Sequence, residues 1–176
     1  DINFAEKITE GLDKNKPIVA ISPGAKSEIK RWTKKGYEEL GKRLIGELGA
    51  QVIMVGDKAD KALVTDIISS MKNSVLDLSG KTTLCQLAAL LKKSDLLITN
   101  DSAPMHIGAA VGTDVLAVFG PTDPRLYGPA GEKNRVIRKK LHCGPCEKAQ
   151  CEFEHECMKY ITADEVFDTA REMLQK

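Results

Sequence analysis

"DLLITNDSAPMHIGAAVGTDVLAVFG", residues 95–120, is the stretch that decides the fold. Its two apolar runs, 95–100 and 114–120, flank a small-residue segment at 103–111 that has the pattern of a short helix. Both runs are nearly continuous rather than alternating, which is typical of parallel strands covered on both faces. The stretch therefore predicts a strand, a short helix and a second, parallel strand.

The same alternation of apolar runs and helical periodicity extends over most of the chain. Strands are expected at 17–22, 50–56, 74–80, 95–100 and 114–120, and helices at 36–49, 64–71, 84–91, 103–111 and 166–173. A further edge strand is suggested at 135–139. This order predicts one α/β domain over residues 1–176, with a doubly wound, mainly parallel sheet and helices on both faces.

The composition excludes several classes of protein. The net charge of +1 gives no reason to expect a nucleic-acid partner, and the basic run 138–140 is expected to be solvated surface. No apolar run reaches the roughly 18 residues that a spanning helix needs. The opening residues 1–16 are too polar for a signal peptide, so we expect a cytoplasmic protein. The sequence lacks an initial Met, which is typical of a fragment or a processed chain.

The carboxyl ends of parallel strands share one edge of a sheet, where ligands bind. The first loop at this edge, "SPGAKSEIKRW" at 22–32, combines a turn at Gly24 with three cations, Lys26, Lys30 and Arg31. Such a loop suits an anionic phosphate, although neither the GxxxxGK[ST] nor the GxGxxG spacing is present. The alternative is a solvated basic loop before a helix.

Two other polar positions follow predicted strands. In "SGKTTL" at 79–84, Thr82 or Thr83 is able to cap the next helix or to contact a ligand. Asp57, after the second strand, is able to accept hydrogen bonds from a ribose or to begin a helix. At both positions, the residues alone do not decide between a role at the start of a helix and contact with a ligand.

The third loop begins at Asp101, directly after a strand. Ser102 is a candidate N-cap, Ala103 is small enough for a ligand to approach the backbone, and Pro104 suits the first helical turn. His106 lies on the same turn. An anion there would gain from free N–H groups and from the helix dipole, but a capped helix with a structural histidine explains the pattern equally.

Four of the five cysteines cluster near the end of the chain. Cys143, Cys146, Cys151 and Cys157 have the spacing C-x2-C-x4-C-x5-C, beside two histidines. This spacing suits a structural zinc ion, an iron–sulfur cluster, disulfides or free thiols, although a cytoplasmic location argues against lasting disulfides. Cys85 stands alone in a helical pattern and is expected to be buried.

Four motifs, taken in order, carry a resemblance to a known family. "SPGA…KRW", "DLSGKTTL", "TNDSAPMHIGAAVGT" and "AVFGPTDPRLYGP" resemble the C-terminal half of the lipopolysaccharide heptosyltransferases, which are family 9 glycosyltransferases of the two-domain GT-B fold. The resemblance runs from about Ile18 to the last helix. Two positions depart from the family pattern: Ala103 replaces a common Gly, and Ala25-Lys26 replaces a Thr pair.

The resemblance implies a donor site for an ADP-heptose-type nucleotide sugar. It assigns Lys30 and the backbone of Ala25, Lys26 and Ser27 to the diphosphate, with Gly24 forming the turn. It places Thr82 and Thr83 near the adenine and, less securely, either Asp57 or Asp60 near the ribose. It also assigns Asp101 to the sugar hydroxyls, and Ser102, Ala103 and His106 to the phosphates or the sugar.

The resemblance further implies inverting transfer of heptose to the lipopolysaccharide inner core, at the inner face of the bacterial inner membrane, with no metal in the chemistry. The general base lies in the family's N-terminal acceptor domain, so this chain alone is expected to bind nucleotide but to catalyse little or no transfer. The alternative function is a non-catalytic nucleotide-binding or metal-stapled interaction module. An NAD-dependent oxidoreductase is disfavoured because GxGxxG is missing.

Overall fold

Six parallel strands form the centre of the fold in this computed structural model, which describes residues 1–71 and 75–175. The strands are β1 (Ile18–Ser22), β2 (Gln51–Met54), β3 (Val75–Asp77), β4 (Leu96–Asn100), β5 (Asp114–Phe119) and β6 (Arg135–Arg138). Their order in the sheet is β3-β2-β1-β4-β5-β6, and every neighbouring pair is parallel. The predicted doubly wound sheet is confirmed, including the additional edge strand β6.

Helices connect and cover the strands. They are α1 (Ile2–Glu10), α2 (Lys34–Leu48), α3 (Lys61–Ser69), α4 (Leu84–Lys92), α5 (Ala103–Val111), α6 (Pro124–Tyr127), α7 (Glu156–Lys159) and α8 (Ala163–Leu174). The five predicted helices correspond to α2, α3, α4, α5 and α8. Helices α1, α6 and α7 were not predicted: α6 and α7 are four residues each, and α1 buries a single residue, Ala5.

The core explains why the strands are apolar throughout. In β1, Val19 and Ile21 pack into one cluster with α2, α3 and α8, while Ala20 packs into another with α4 and α5. Strand β5 alternates in the same way between the two faces. Because both faces are covered, each central strand is buried along almost its whole length.

Some expectations differ from the structure. Cys85 is exposed rather than buried, because it lies in the first turn of α4, where the helix begins at the edge of the sheet. Arg138 is half-buried rather than solvated. The strand predicted at 74–80 is observed as β3, and residue 74 lies outside the described residues. Within those residues, no helix is long and apolar enough to cross a bilayer.

Candidate functional site

The strand order reverses between β1 and β4, since successive strands are added on one side of β1 up to β3 and on the other side from β4 onward. The loops that follow β1 and β4 therefore meet at the switch point where such folds bind ligands. Asn100, buried at the end of β4, ties the loops together. Its side-chain amide donates to the carbonyls of Pro23 (2.8 Å) and Gly24 (3.3 Å). Its oxygen accepts from the Trp32 N–H (2.9 Å) and the Tyr37 hydroxyl (3.0 Å). The first loop is therefore fixed from both of its ends.

The sequence analysis did not single out Asn100. The available signal was an amide at the last position of an otherwise apolar strand, since a buried polar group requires partners. Burial also raises the pKa of Tyr37 far above its ordinary value, so its hydroxyl remains a neutral donor to Asn100.

The structure brings two predicted site residues into direct contact. Lys30 Nζ lies 2.7 Å from Asp101 Oδ2, and the Thr122 hydroxyl donates to the same oxygen at 2.7 Å. Asp101 is only 8 % exposed, and these charge-assisted bonds offset the cost of burying its carboxylate. Lys30 also lies 5.9 Å from the centre of the Tyr127 ring. Thr122 and Tyr127 were not among the predicted site residues.

The rest of the first loop positions this lysine. Gly24 and Ala25 are buried, Lys26 is exposed, and Ser27 precedes a 3₁₀ turn at Glu28–Lys30. Arg31 holds the loop closed by donating from Nε to the Ala25 carbonyl at 2.9 Å. The loop thus presents Lys30 toward β4 and leaves Lys26 facing solvent.

Helix α5 begins beside Asp101 without a side-chain cap. Ser102 occupies the N-cap position, but its hydroxyl lies 3.2 Å from Thr99 Oγ1 and 3.4 Å from the Asn100 carbonyl, so the expectation that it caps the helix is wrong. Ala103 and His106 are exposed on the first turn. The positive end of the helix dipole therefore faces the space next to the Lys30–Asp101 pair.

Asp57 begins the turn before α3, which agrees with the prediction that it begins a helix. Its Oδ1 accepts from the N–H groups of Ala59 (2.7 Å) and Asp60 (3.0 Å). Asp60 lies deeper, and a Cβ on Gly24 would come within 2.2 Å of its carboxyl group. Burial raises the pKa of Asp60, and Arg31 Nη2 lies 3.9 Å from its Oδ1. Asp60 therefore joins the loops that follow β1 and β2.

Thr83 caps α4 in a reciprocal capping box with Gln86. Thr82 is half-buried beside it. The Gly80 N–H donates to the Gly56 carbonyl at 2.9 Å, which connects this loop to the one that follows β2. Across residues 1–71 and 75–175, no hydrogen bond joins either threonine to Lys30 or Asp101.

The four clustered cysteines line one cavity of about 280 Å³, together with His142 and His155. Their thiols are free. In the described part of the chain, no group of three or more His, Cys, Asp or Glu side chains is arranged to hold a metal ion. Burial, together with the nearness of the other three cysteine side chains, raises the pKa of Cys157.

A parallel, doubly wound sheet with helices on both faces defines a Rossmann-like α/β domain. The basic loop and the uncapped helix at its switch point are features that suit an anionic ligand. Residues 2–156 match the model of glycosyltransferase family 9 (heptosyltransferase), and the chain belongs to this family. The predicted family is therefore confirmed.

Similar proteins agree with this assignment. Lipopolysaccharide heptosyltransferase 2 of Salmonella typhimurium is 34 % identical over 132 residues, which cover 72 % of this chain and 38 % of that protein. The structure of an E. coli ADP-heptose LPS heptosyltransferase II matches 98 % of this chain and 50 % of its own, with 28 % identity and a TM-score of 0.83. A family 9 glycosyl transferase from Veillonella parvula matches 98 % and 51 %, with 26 % identity and a TM-score of 0.88.

The chain spans about half the length of these relatives, or less. The relatives are glycosyltransferases by name, and they do not favour the alternative of a non-catalytic interaction module.

Proposed function

We propose that this chain is the donor-binding domain of an inverting heptosyltransferase that transfers heptose from ADP-heptose to the lipopolysaccharide inner core. The observation that carries the proposal is the Lys30–Asp101–Thr122 cluster at the switch point, beside the start of α5. The similar E. coli protein is an ADP-heptose LPS heptosyltransferase II, which supports ADP-heptose as the donor.

The strand order supports a direction for the donor along the sheet edge. The loops after β2 and β3 lie on one side of β1, and those after β4 and β5 lie on the other. The nucleoside would lie toward the first side, at Asp57, Thr82 and Thr83, and the heptose would lie toward Asp101. The diphosphate would then lie between them, against the backbone of 24–27 and the start of α5.

The chemistry follows from the charge that develops on the leaving diphosphate. Lys30 and the first-turn N–H groups of α5, near His106, supply positive charge and donors at that place. A diphosphate that takes Lys30 releases Asp101 from its ion pair, so its carboxylate is free to accept hydrogen bonds from sugar hydroxyls. Binding of the diphosphate and recognition of the sugar would thus be coupled through the Lys30–Asp101 ion pair.

The remaining parts of the reaction lie outside these residues. The general base and the acceptor site would belong to an N-terminal acceptor domain, so this chain alone would bind donor with little or no transfer. The complete enzyme would act in the cytoplasm at the periphery of the inner membrane. The donor site as proposed needs no metal for its positive charge, and a metal at the cysteines would be structural.

Calorimetric titration with ADP-heptose tests the proposal. Lys30→Ala removes a charge-assisted contact worth about 1.5–3 kcal/mol, so affinity should fall roughly 10–100-fold. Lys35→Ala, at an exposed surface ion pair, is the matched control and should bind as the native chain does. Absence of binding by the native chain, or equal affinity in Lys30→Ala, would contradict the proposal.

A further inference from the structure

The cysteine segment packs directly against the proposed donor site. The Glu147 N–H donates to the Pro121 carbonyl at 3.0 Å, and Pro121 adjoins Thr122, which holds Asp101. Ile29 and Pro121 line the same cavity as the four cysteines, and Ile29 precedes Lys30 in the 3₁₀ turn. The segment therefore supports both loops that carry the Lys30–Asp101 pair.

The backbone of this segment is folded around its sulfur atoms. Cys151 Sγ accepts backbone N–H groups from Phe153 (3.4 Å) and His155 (3.3 Å), and such bonds favour a sulfur that carries negative charge. Among the described residues other than glycine, positive φ angles occur at Glu147 (52°), Glu154 (52°) and His155 (59°). Backbone conformations of this kind persist only where the surroundings impose them.

The segment has no regular secondary structure to hold it in place. Residues 139–155 contain no helix or strand, although an edge-to-face contact joins the His142 and Phe153 rings at 5.0 Å. Irregular segments of this length inside compact domains are uncommon and usually functional. Cys157 lies where this segment meets the core, and a Cβ on Gly120 would come within 3.1 Å of its Sγ.

One cationic side chain, Arg138, lies beside the first two cysteines. The Nε atom of Arg138 is buried and has no hydrogen-bond partner among the described residues. Its Nη2 lies against Gly144, between the first two cysteines, where an added Cβ would be 3.0 Å away. Four thiolates around a divalent ion would carry a charge of about −2. The positive charge of Arg138, next to the first two cysteines, would offset part of that negative charge.

We propose that Cys143, Cys146, Cys151 and Cys157 together bind one divalent metal ion that prefers four thiolates, zinc or iron(II), and that this ion braces the donor site. Binding replaces four S–H protons by four metal–sulfur bonds, with no change of oxidation state. The thiols share a cavity without meeting at one point, so the ion would draw them together. The bracing part of this inference rests on the proposed function.

Elemental analysis of the full chain, purified under reducing conditions and dialysed against a chelator, tests the site. We expect one zinc or iron per chain, and the element found distinguishes the two. Cys146→Ser and Cys157→Ser should each lower the metal content to less than one tenth, whereas Cys85→Ser, at the exposed cysteine, should keep it at one. A native chain that holds no metal and takes up neither ion, or that forms disulfides instead, would overturn the proposal.

Cobalt(II) substitution keeps the test informative if a cysteine variant folds poorly. The native chain should show the absorption bands of tetrahedral cobalt thiolate with an endpoint at one equivalent, and a spectrum of octahedral cobalt would overturn the site. Removal of the metal should then weaken ADP-heptose binding about 10-fold while the far-UV circular dichroism is kept. Unchanged affinity would refute the bracing role. Failure of the native chain to bind donor would refute the proposed function, while the metal stoichiometry would still decide the site.

Discussion

Lys30 and Asp101 form an ion pair of 2.7 Å that joins the loop after β1 to the start of α5. These residues are 71 positions apart in the chain, and Thr122, from the loop after β5, donates to the same carboxylate oxygen. The cation and the carboxylate of the proposed donor site thus neutralise each other in this structure. A ligand that binds Lys30 must compete with Asp101, and the first prediction follows from this competition.

Asp101→Asn should affect binding of the nucleotide and binding of the sugar differently. The amide keeps the shape of the side chain but no longer neutralises Lys30, so affinity for ADP should stay equal or rise. The additional affinity for ADP-heptose over ADP should be lost, because an amide is a weaker acceptor for sugar hydroxyls. Parallel calorimetric titrations with both ligands measure this difference. Asp66→Asn, at the exposed Lys34–Asp66 pair, is the control, and the prediction fails if Asp101→Asn keeps the preference for the sugar.

Asn100→Ala should destabilise the fold strongly. The substitution leaves the Trp32 N–H, the Tyr37 hydroxyl and the Pro23 carbonyl without their partner in a buried place. At about 1–3 kcal/mol for each unsatisfied group, with partial relaxation, the free energy of unfolding should fall by about 3 kcal/mol. Urea denaturation measures the loss. Asn15→Ala, in an exposed turn, should change stability by less than about 0.5 kcal/mol, and an equally small effect at Asn100 would refute its positioning role.

Gly24→Ala should disturb the first loop, because its Cβ would come within 2.2 Å of the Asp60 carboxyl group. Either Asp60 or the loop must move, and we expect a loss of about 1–3 kcal/mol in unfolding free energy. Gly46→Ala is the matched control, since nothing lies within 4 Å of its added Cβ in the last turn of α2. That variant should be stabilised by about 0.4–1 kcal/mol, because alanine restricts the unfolded chain more than glycine does. Thermal and urea unfolding of the two variants should therefore move in opposite directions, and a shift in the same direction would contradict this account.

Asp123 should titrate well below an ordinary aspartate. Hydrogen bonds from the Arg125 side chain and backbone lower its pKa from 3.8 to about 2. Because the pKa is depressed in the folded state, the associated stability is present above pH 3.8 and is lost as the pH falls toward 2. Carboxyl-detected NMR titration should show the native midpoint near 2 and a return toward 3.8 in Arg125→Ala. Arg125→Ala keeps the backbone N–H, so an unchanged midpoint in that variant would rule out the Arg125 side chain as the main cause.

The sequence predicted the sheet well because burial on both faces leaves a strong local pattern. Strands β4 and β5 each appear as one apolar run, and the helices of nine residues or more that were predicted have clear apolar spacing. Helix α1 was not predicted because its buried surface is small. The prediction that Cys85 is buried was wrong because its position on the first turn of α4 faces outward. Local sequence patterns therefore predict long helices and buried strands more reliably than they predict weakly buried helices or the burial of a single residue.

The candidate site was predictable as a set of loops but not as a set of contacts. Lys30 and Asp101 were both singled out, yet their pairing depends on β1 and β4 being neighbours, which no local pattern encodes. The role of Asn100 depends on four partners from three separate places in the chain. Thr122 was missed for the same reason, since its value as a donor to Asp101 appears only in the folded arrangement.

The most direct test of the donor site is a map of backbone amide shifts on addition of ADP-heptose to the isotopically labelled chain. The account predicts saturable shifts at the amides of residues 24–31 and 101–106, with none at Lys14, Gly112 and Lys133 on the opposite edge of the sheet. Shifts confined to that opposite edge, or no shifts at saturating ligand, would contradict it.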